Sequence, residues 1–378
     1  MVNEENLPIP PACAAPANGA APAENVSAHA GDADFAPVVP EVLVLSRPDE
    51  LASVVLASAV LEPTRKALPN TKIYLLVREQ FAGLFCGHPA LDGIIFFDEK
   101  HGLRALVKQL KAVGADSLAH LSYSEFVSDA AKLAKIRNVA ALADDIGNDD
   151  KSGVTLEVTP SAGGNDAHEG FFNFEALVPF GVNVPDKPQM ALSPDPAARE
   201  TAHEKLAEYG IIETEYAVFC LDGNALRHYV APAVFAHAAD FLRKIPLPII
   251  VVGEKSQEST MRFLDFCRKT HGTHIIDLRG RTSPEENAWI LAKARLCFSG
   301  ENACAYIAAA ENCPLVALFV DFAGNRWFPL GYLTTNIFTG AHRKIYEPRA
   351  LFNYRVSRAF GDAKIDSALQ FALSLREV

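Results

Sequence analysis

The sequence predicts an α/β protein built as two Rossmann-like, doubly wound parallel-sheet lobes that face each other across a cleft. Three observations predict it. The chain has 378 residues, more than one hydrophobic core usually organises. Short apolar runs of β type alternate with segments of helical period, first from residue 41 and again from about residue 216. Between the two series, residues 147–200 lose the period and are punctuated by Gly, Pro, Asn and Asp. Hydrophobic residues at 49% supply both cores.

The elements follow in order. "EVLVLS" at 41–46 is an apolar β run, and "ELASVVLASAVLEPTRKALP" after it has helical spacing closed by Pro69. "KIYLLV", "GIIFFDE" and the short "SLAHLS" are further strands, separated by the helical "GLRALVKQLKAVG"; "SEFVSDAAKLAKIRNVAALADD" is helical again. Such alternation implies parallel strands with helices on both faces. The second series runs through "YAVFCLD", "PIIVVG", "HIIDLR", "LCFSG" and "LVALFV", with helices "APAVFAHAADFLRK", "ESTMRFLDFCRKT", "PEENAWILAKA" and "ACAYIAAAEN" between them. The expected boundaries are a disordered Ala/Pro-rich tail at 1–40, an N-terminal lobe at 41–190 and a C-terminal lobe at 191–345. A last helical segment at 346–378 is expected to return toward the first lobe.

Charge and composition exclude several classes. A net charge of -11 leaves no basic footprint for nucleic acid. No Lys or Arg precedes Arg47, so the charged start of a signal peptide and the arginines of a transit peptide are missing, and no apolar run reaches the roughly 18 residues of a membrane helix. A cytoplasmic location is the expectation. The seven cysteines contain no C-x-x-C pair, and His101, His120, His228 and His237 have no metal-ligand spacing, so neither a disulfide framework, nor a metal, nor a cofactor is expected. Cys304 stands apart, because a helix N-terminus lowers a thiol's pKa.

The motifs narrow the reading. By periodicity alone, two such lobes fit a GT-B transferase, a periplasmic-binding type or an epimerase-like protein. "LRGRTSPEENAWILAKARLCFSGENACAYIAAAENCPLVALFV" resembles, in one ungapped register, the corresponding stretch of glycosyltransferase family 9, the ADP-heptose:lipopolysaccharide heptosyltransferases. Leu278, Gly280, Thr282, Ser283, Ala294, Ala308, Ala309, Ala310, Pro314 and Phe319 keep that family's frame. "VLVLSRPDELASVV" resembles its opening strand, loop and helix, "LRHYVAPAVFAHAADFL" its K-R-W-P segment, and "NRWFPLG" its late R-x-x-P-x-G loop. The resemblance implies a GT-B fold and inverting, metal-independent transfer of a sugar, by analogy a heptose. The donor would be a nucleotide sugar and the acceptor a lipopolysaccharide or other lipid-linked glycan, with peripheral contact at the inner membrane. The rival is a catalytically degenerate paralogue that binds or scaffolds.

The same comparison exposes departures. The family's base is the Asp of an L-G-D turn, where this chain has Leu51, Ala52 and Ser53. A serine hydroxyl alone is a poor base, and loss of a positioned base costs about 10²- to 10⁴-fold in rate. Asp49 and Glu50, in the same loop, are the candidate substitutes, with Ser53 at the matching place. On the donor side, Glu301, Asn302, Ala303, Cys304 and Tyr306 replace the family's D-[ST]-G-P-x-H. A helix N-terminus holds a diphosphate through free N–H groups and its dipole, and glycine permits close approach. Glu301 keeps an acid, Asn302 is able to cap the helix or to donate to a phosphate, Ala303 adds a β-carbon, and Tyr306 removes an imidazole. Arg227 takes the place of the family's phosphate-binding Lys, Glu258 lies near its donor-contacting acid, and Thr282 completes the donor set. Glu125 and Asp129 stand where a phosphorylated acceptor calls for Lys and Arg, which implies a different acceptor or none.

Overall fold

The computed structural model describes residues 26–29, 36–146, 153–160, 168–221, 230, 232–245, 247–253, 263–265, 275–319, 327–331, 333–338 and 360–375. They form two separate parallel sheets. The first sheet holds β1 (Val26–His29), β2 (Val42–Ser46), β3 (Lys72–Arg78), β4 (Gly93–Phe97), β5 (Ser117–His120), β6 (Asn138–Leu142) and β7 (Leu156–Thr159), in the order β1-β7-β6-β5-β2-β3-β4. Its helices are α1 (Leu51–Ala57), α2 (Leu61–Ala67), α3 (Leu103–Ala112), α4 (Glu125–Ala134), α5 (Ala143–Ile146) and α6 (Glu169–Glu175). After α7 (Pro196–Ala207) the second sheet collects β8 (Ala217–Cys220), β9 (Ile249–Val251), β10 (Ile275–Asp277), β11 (Leu296–Gly300), β12 (Leu315–Phe319) and β13 (Thr334–Phe338), in the order β10-β9-β8-β11-β12-β13. Its helices are α8 (Pro232–Arg243), α9 (Pro284–Lys293), α10 (Ala303–Ala310) and α11 (Asp362–Ser374).

The central strands are apolar on both faces because helices cover both sides. β2, β8, β11 and β12 are buried along their whole length. Val44, Leu118 and Val139 pack under α3 and α4, whereas Leu43, Leu45 and Ala119 join a cluster that continues into the second lobe through Val218, Leu291 and Ile307. The lobes therefore share a core. At their boundary α1 lies against α10, where Ala305, Ala308 and Ala309 are small enough for close approach, and α9 lies against the 3₁₀ segment Glu79–Phe85.

Each sheet reverses direction once. From β2 the chain adds β3 and β4 on one side and then β5 on the other; from β8 it adds β9 and β10 and then β11. The crevice beyond the carboxyl ends of β2 and β5, and that beyond β8 and β11, are the places where such sheets bind ligands.

Four features differ from the sequence reading. Within the expected tail, Val26–His29 adds an edge strand to β7. The stretch read as a linker supplies β7 itself, whose buried Leu156 and Val158 alternate with exposed Glu157 and Thr159, too short and too polar a pattern to stand out among loop residues. β13 closes the second sheet beyond the last expected strand. The C-terminal helix α11 packs on α8, β12 and β13 of the second lobe instead of returning to the first. Its Ile365, Leu369 and Ala372 share a cluster with Phe219, Phe235 and Phe298, and Asp366 meets His237 Nε2 at 2.7 Å.

Candidate functional site

On the first lobe the site begins where β2 ends. Arg47 is only 2% exposed, and an unpaired guanidinium at that depth would be prohibitively costly. Each of its three nitrogens faces an oxygen. Its Nε pairs with Asp49 Oδ2 at 2.8 Å, one terminal nitrogen reaches Glu169 Oε1 at 3.3 Å, and the other donates to Asn173 Oδ1 at 2.8 Å and to the carbonyl of Leu121. Asp49 also accepts a hydrogen bond from Ser122 Oγ at 3.3 Å. One guanidinium thus faces two carboxylates at the switch point between β2 and β5. Glu50 is exposed and is the N-cap of α1 without a side-chain cap bond, and Ser53 is half-buried in the first turn of that helix. Of the three candidate bases, only Asp49 is held by neighbours in hydrogen-bonding contact among the described residues.

On the second lobe, Glu301 and Asn302 follow β11. The Asn302 side chain caps α10, its Oδ1 accepting from the N–H of Cys304 at 2.9 Å and of Ala305 at 3.4 Å, while its Nδ2 donates to the carbonyl of Cys220 at the end of β8 at 3.0 Å. The residue ties the two strands of the switch point together. Two of the N–H groups that a bound phosphate would use are already satisfied. Ala303 is half-buried at the first helical position, and Cys304 is buried, so its thiol is enclosed by packing. Tyr306 is 3% exposed and stands at the lobe boundary. Burial, then the charges of Glu301 and of Glu169, push its phenol far above the usual range. Thr282 precedes the N-cap of α9, and its buried hydroxyl has no hydrogen-bond partner among the described residues. Arg227 and Glu258 lie outside the described residues.

Two histidines border the first-lobe crevice. His120, at the end of β5, opposes Ser46 in the parallel register; burial lowers its pKa to about 4, partly offset by the backbone at Ser122. His168 caps α6 and is lowered by burial as well. Elsewhere, Glu79, Asp98 and His101 place one donor atom each within 4.8 Å of one another after β3 and β4, a mostly exposed group that the histidine spacing did not reveal. No described helix is long and apolar enough to cross a membrane.

No family model matches the chain, and no curated protein is similar to it in sequence. Its three-dimensional neighbours are more informative. A glycosyl transferase family 9 protein of Veillonella parvula superposes with a TM-score of 0.74 at 17% identity, covering 89% of this chain and 97% of that one. Escherichia coli ADP-heptose lps heptosyltransferase II gives 0.69 at 14% identity over 89% and 100% of the two chains. Escherichia coli heptosyltransferase WaaC, solved with ADP, gives 0.64 at 14% identity over 88% and 99%. The chain has the GT-B fold.

Within that fold the polar cluster lies at the crevice, and sequence reasoning missed most of it. Arg47, Glu169, Asn173 and His168 were not singled out. A charged residue directly after the first central strand was a usable signal for Arg47, since that position opens onto the crevice of a doubly wound sheet. Glu169 and Asn173 lie 122 and 126 residues further on and carried no local signal.

Proposed function

We propose that the protein is a glycosyltransferase that moves a sugar from a nucleoside-diphosphate donor, bound beyond β8 and β11, to an acceptor hydroxyl presented by the first lobe. One observation carries this reading. The switch points of both sheets meet at a single lobe boundary, with Asp49 held by Arg47 and Ser122 on one side and Glu301, Asn302 and the N-terminus of α10 on the other. Asp49 is the base we assign. It takes the acceptor proton as the acceptor oxygen bonds to the anomeric carbon, and the bond from that carbon to the diphosphate breaks with its electron pair leaving on the nucleotide. Thr282, Glu301, Asn302, Ala303 and Tyr306, with Arg227 and Glu258, form the donor side in this proposal. ADP-heptose as donor and a lipopolysaccharide or other surface glycan as acceptor come from the motif resemblance and from the named neighbours. A cytoplasmic location belongs to the same proposal, as do lobes bounded at 41–190 and 191–345, the second supported by the packing of α7 on α9.

A second reading, a binding or scaffold protein that has lost catalysis, is favoured by two observations. Ala52 and Ser53 bring no carboxylate to the first turn of α1, and Asn302 occupies N–H groups that a diphosphate needs. Release of nucleoside diphosphate from a panel of nucleotide sugars separates the two. The transferase reading expects turnover that falls about 10²- to 10⁴-fold in Asp49→Asn and stays unchanged in Glu50→Gln. Equal rates in wild type and Asp49→Asn would remove Asp49 from the chemistry.

A further inference from the structure

The loop Leu278–Ser283 leaves β10 at its carboxyl end and enters α9 at the lobe boundary, where Glu285 fills the space that a β-carbon on Gly83 of the first lobe would need. Its first half is tied to its own sheet. The N–H of Leu278 donates to the carbonyl of Val251 at 2.9 Å, and that of Gly280, at φ 63°, donates to Gly253 at 2.8 Å. The second half is held by an ion pair instead.

Lys205 of α7 donates from Nζ to the Arg281 carbonyl at 2.7 Å and to the two carboxylate oxygens of Glu286 at 2.6 and 2.7 Å. Glu286 Oε2 accepts the N–H of Ser283 at 2.8 Å, and Ser283 Oγ accepts the N–H of Glu286 at 3.2 Å, which closes a capping box on α9. Both peptide groups of Thr282 are therefore fixed by one pair, the carbonyl before it by Lys205 and the N–H after it by Glu286. Because Glu286 is buried and Lys205 half-buried, solvent screens the pair less than it would an exposed one. The Arg281 side chain is committed to the end of α7, pairing with Glu208 at 3.0 Å and donating to the Tyr209 hydroxyl. Inside this frame the Thr282 hydroxyl has no hydrogen-bond partner among the described residues.

We propose that Lys205 and Glu286 are positioning residues for the donor: together they hold the backbone of Arg281–Ser283 in the arrangement that presents Thr282 to a nucleoside diphosphate, so that binding does not have to order the loop. They act through Thr282 and do not touch the donor. This role rests on the nucleotide reading of the lobe boundary.

Lys205→Met combined with Glu286→Gln tests it in the full chain, because glutamine keeps the capping box and no buried carboxylate is stranded. Without nucleotide, hydrogen exchange across residues 281–283 is expected to quicken about tenfold while β8 and β11 keep their rates. The dissociation constant of whichever of ADP, UDP and GDP wild type binds, read by calorimetry, is expected to rise about tenfold in the double variant and to stay within about twofold in Lys205→Arg, which keeps the charge and its donors. Trp289→Phe is the stability control. It deletes the 3.1 Å bond from Nε1 to the Asp195 carbonyl on the same helix and is expected to leave the constant unchanged. Where the double variant fails to fold, Lys205→Gln is measured in its place with the same expectations. Unchanged exchange at the loop, an unchanged constant, or an equal loss in Trp289→Phe would overturn the positioning role and leave nucleotide binding in place. Wild type that binds none of the three nucleotides would overturn the nucleotide reading and this role with it.

Discussion

A guanidinium buried between two carboxylates is costly to assemble and costlier to break, because removing one partner strands the others in a poor dielectric. Arg47 is therefore a fixed point of the first lobe, and Asp49 inherits its position from it. Glu311 is the opposite case. It sits just past the C-terminal end of α10, where the helix dipole disfavours a negative charge, and its Oε1 has no hydrogen-bond partner among the described residues. Burial raises its pKa to about 7. The folded carboxyl then holds its proton where the unfolded one has lost it, so stability falls as pH rises from about 4.5 through 7. Glu311→Gln is expected to stabilise the protein by about 2–3 kcal/mol at pH 8 and to have no effect at pH 4, read by denaturant unfolding at the two pH values. Equal midpoints at pH 8 would show the carboxylate to be solvated. Charges of this kind are invisible in sequence, since Glu311 follows an alanine-rich helix and its burial depends on what the fold brings over that end.

α10 shows how one element decides the donor side. Its N-terminus points out of the switch point of the second sheet, and Asn302 both caps it and ties it to β8. Replacing Asn302 by Ala removes both the cap and the bond to Cys220 and is expected to cost about 1–2 kcal/mol of unfolding free energy, while Asn302→Asp keeps the cap, forfeits the donor to the Cys220 carbonyl and is expected to cost less than Ala. If Ala is as stable as Asp there, the cap is not formed in solution. The helix, its start and its strand were legible in "LCFSGENACAYIAAAEN", because a short, largely apolar strand followed by Asn and an alanine-rich apolar run permits little else. That Asn302 satisfies its own helix was not legible. The same residue type serves a cap or a phosphate, and only geometry tells them apart.

At the scale of the molecule, two doubly wound lobes were readable because buried parallel strands must be apolar on both faces, a pattern that survives even where motifs have drifted. The strands that escaped, β1, β7 and β13, lie at or next to sheet edges, where burial is incomplete and the pattern fades. The direction of α11 escaped too, since an apolar stripe on a terminal helix fits either lobe until α8 and His237 are seen beside it. The meeting of both switch points at one boundary follows from the fold and was in reach of the sequence; the Arg47 cluster that fills that boundary was not, because its members are spread over more than 120 residues. The central claim is that this boundary receives a nucleoside diphosphate. Unfolding free energy measured with increasing ADP, UDP or GDP tests it most directly: at about 100 times its dissociation constant, at least one of the three is expected to add about 2.7 kcal/mol of stability, and no rise with any of them would contradict the claim.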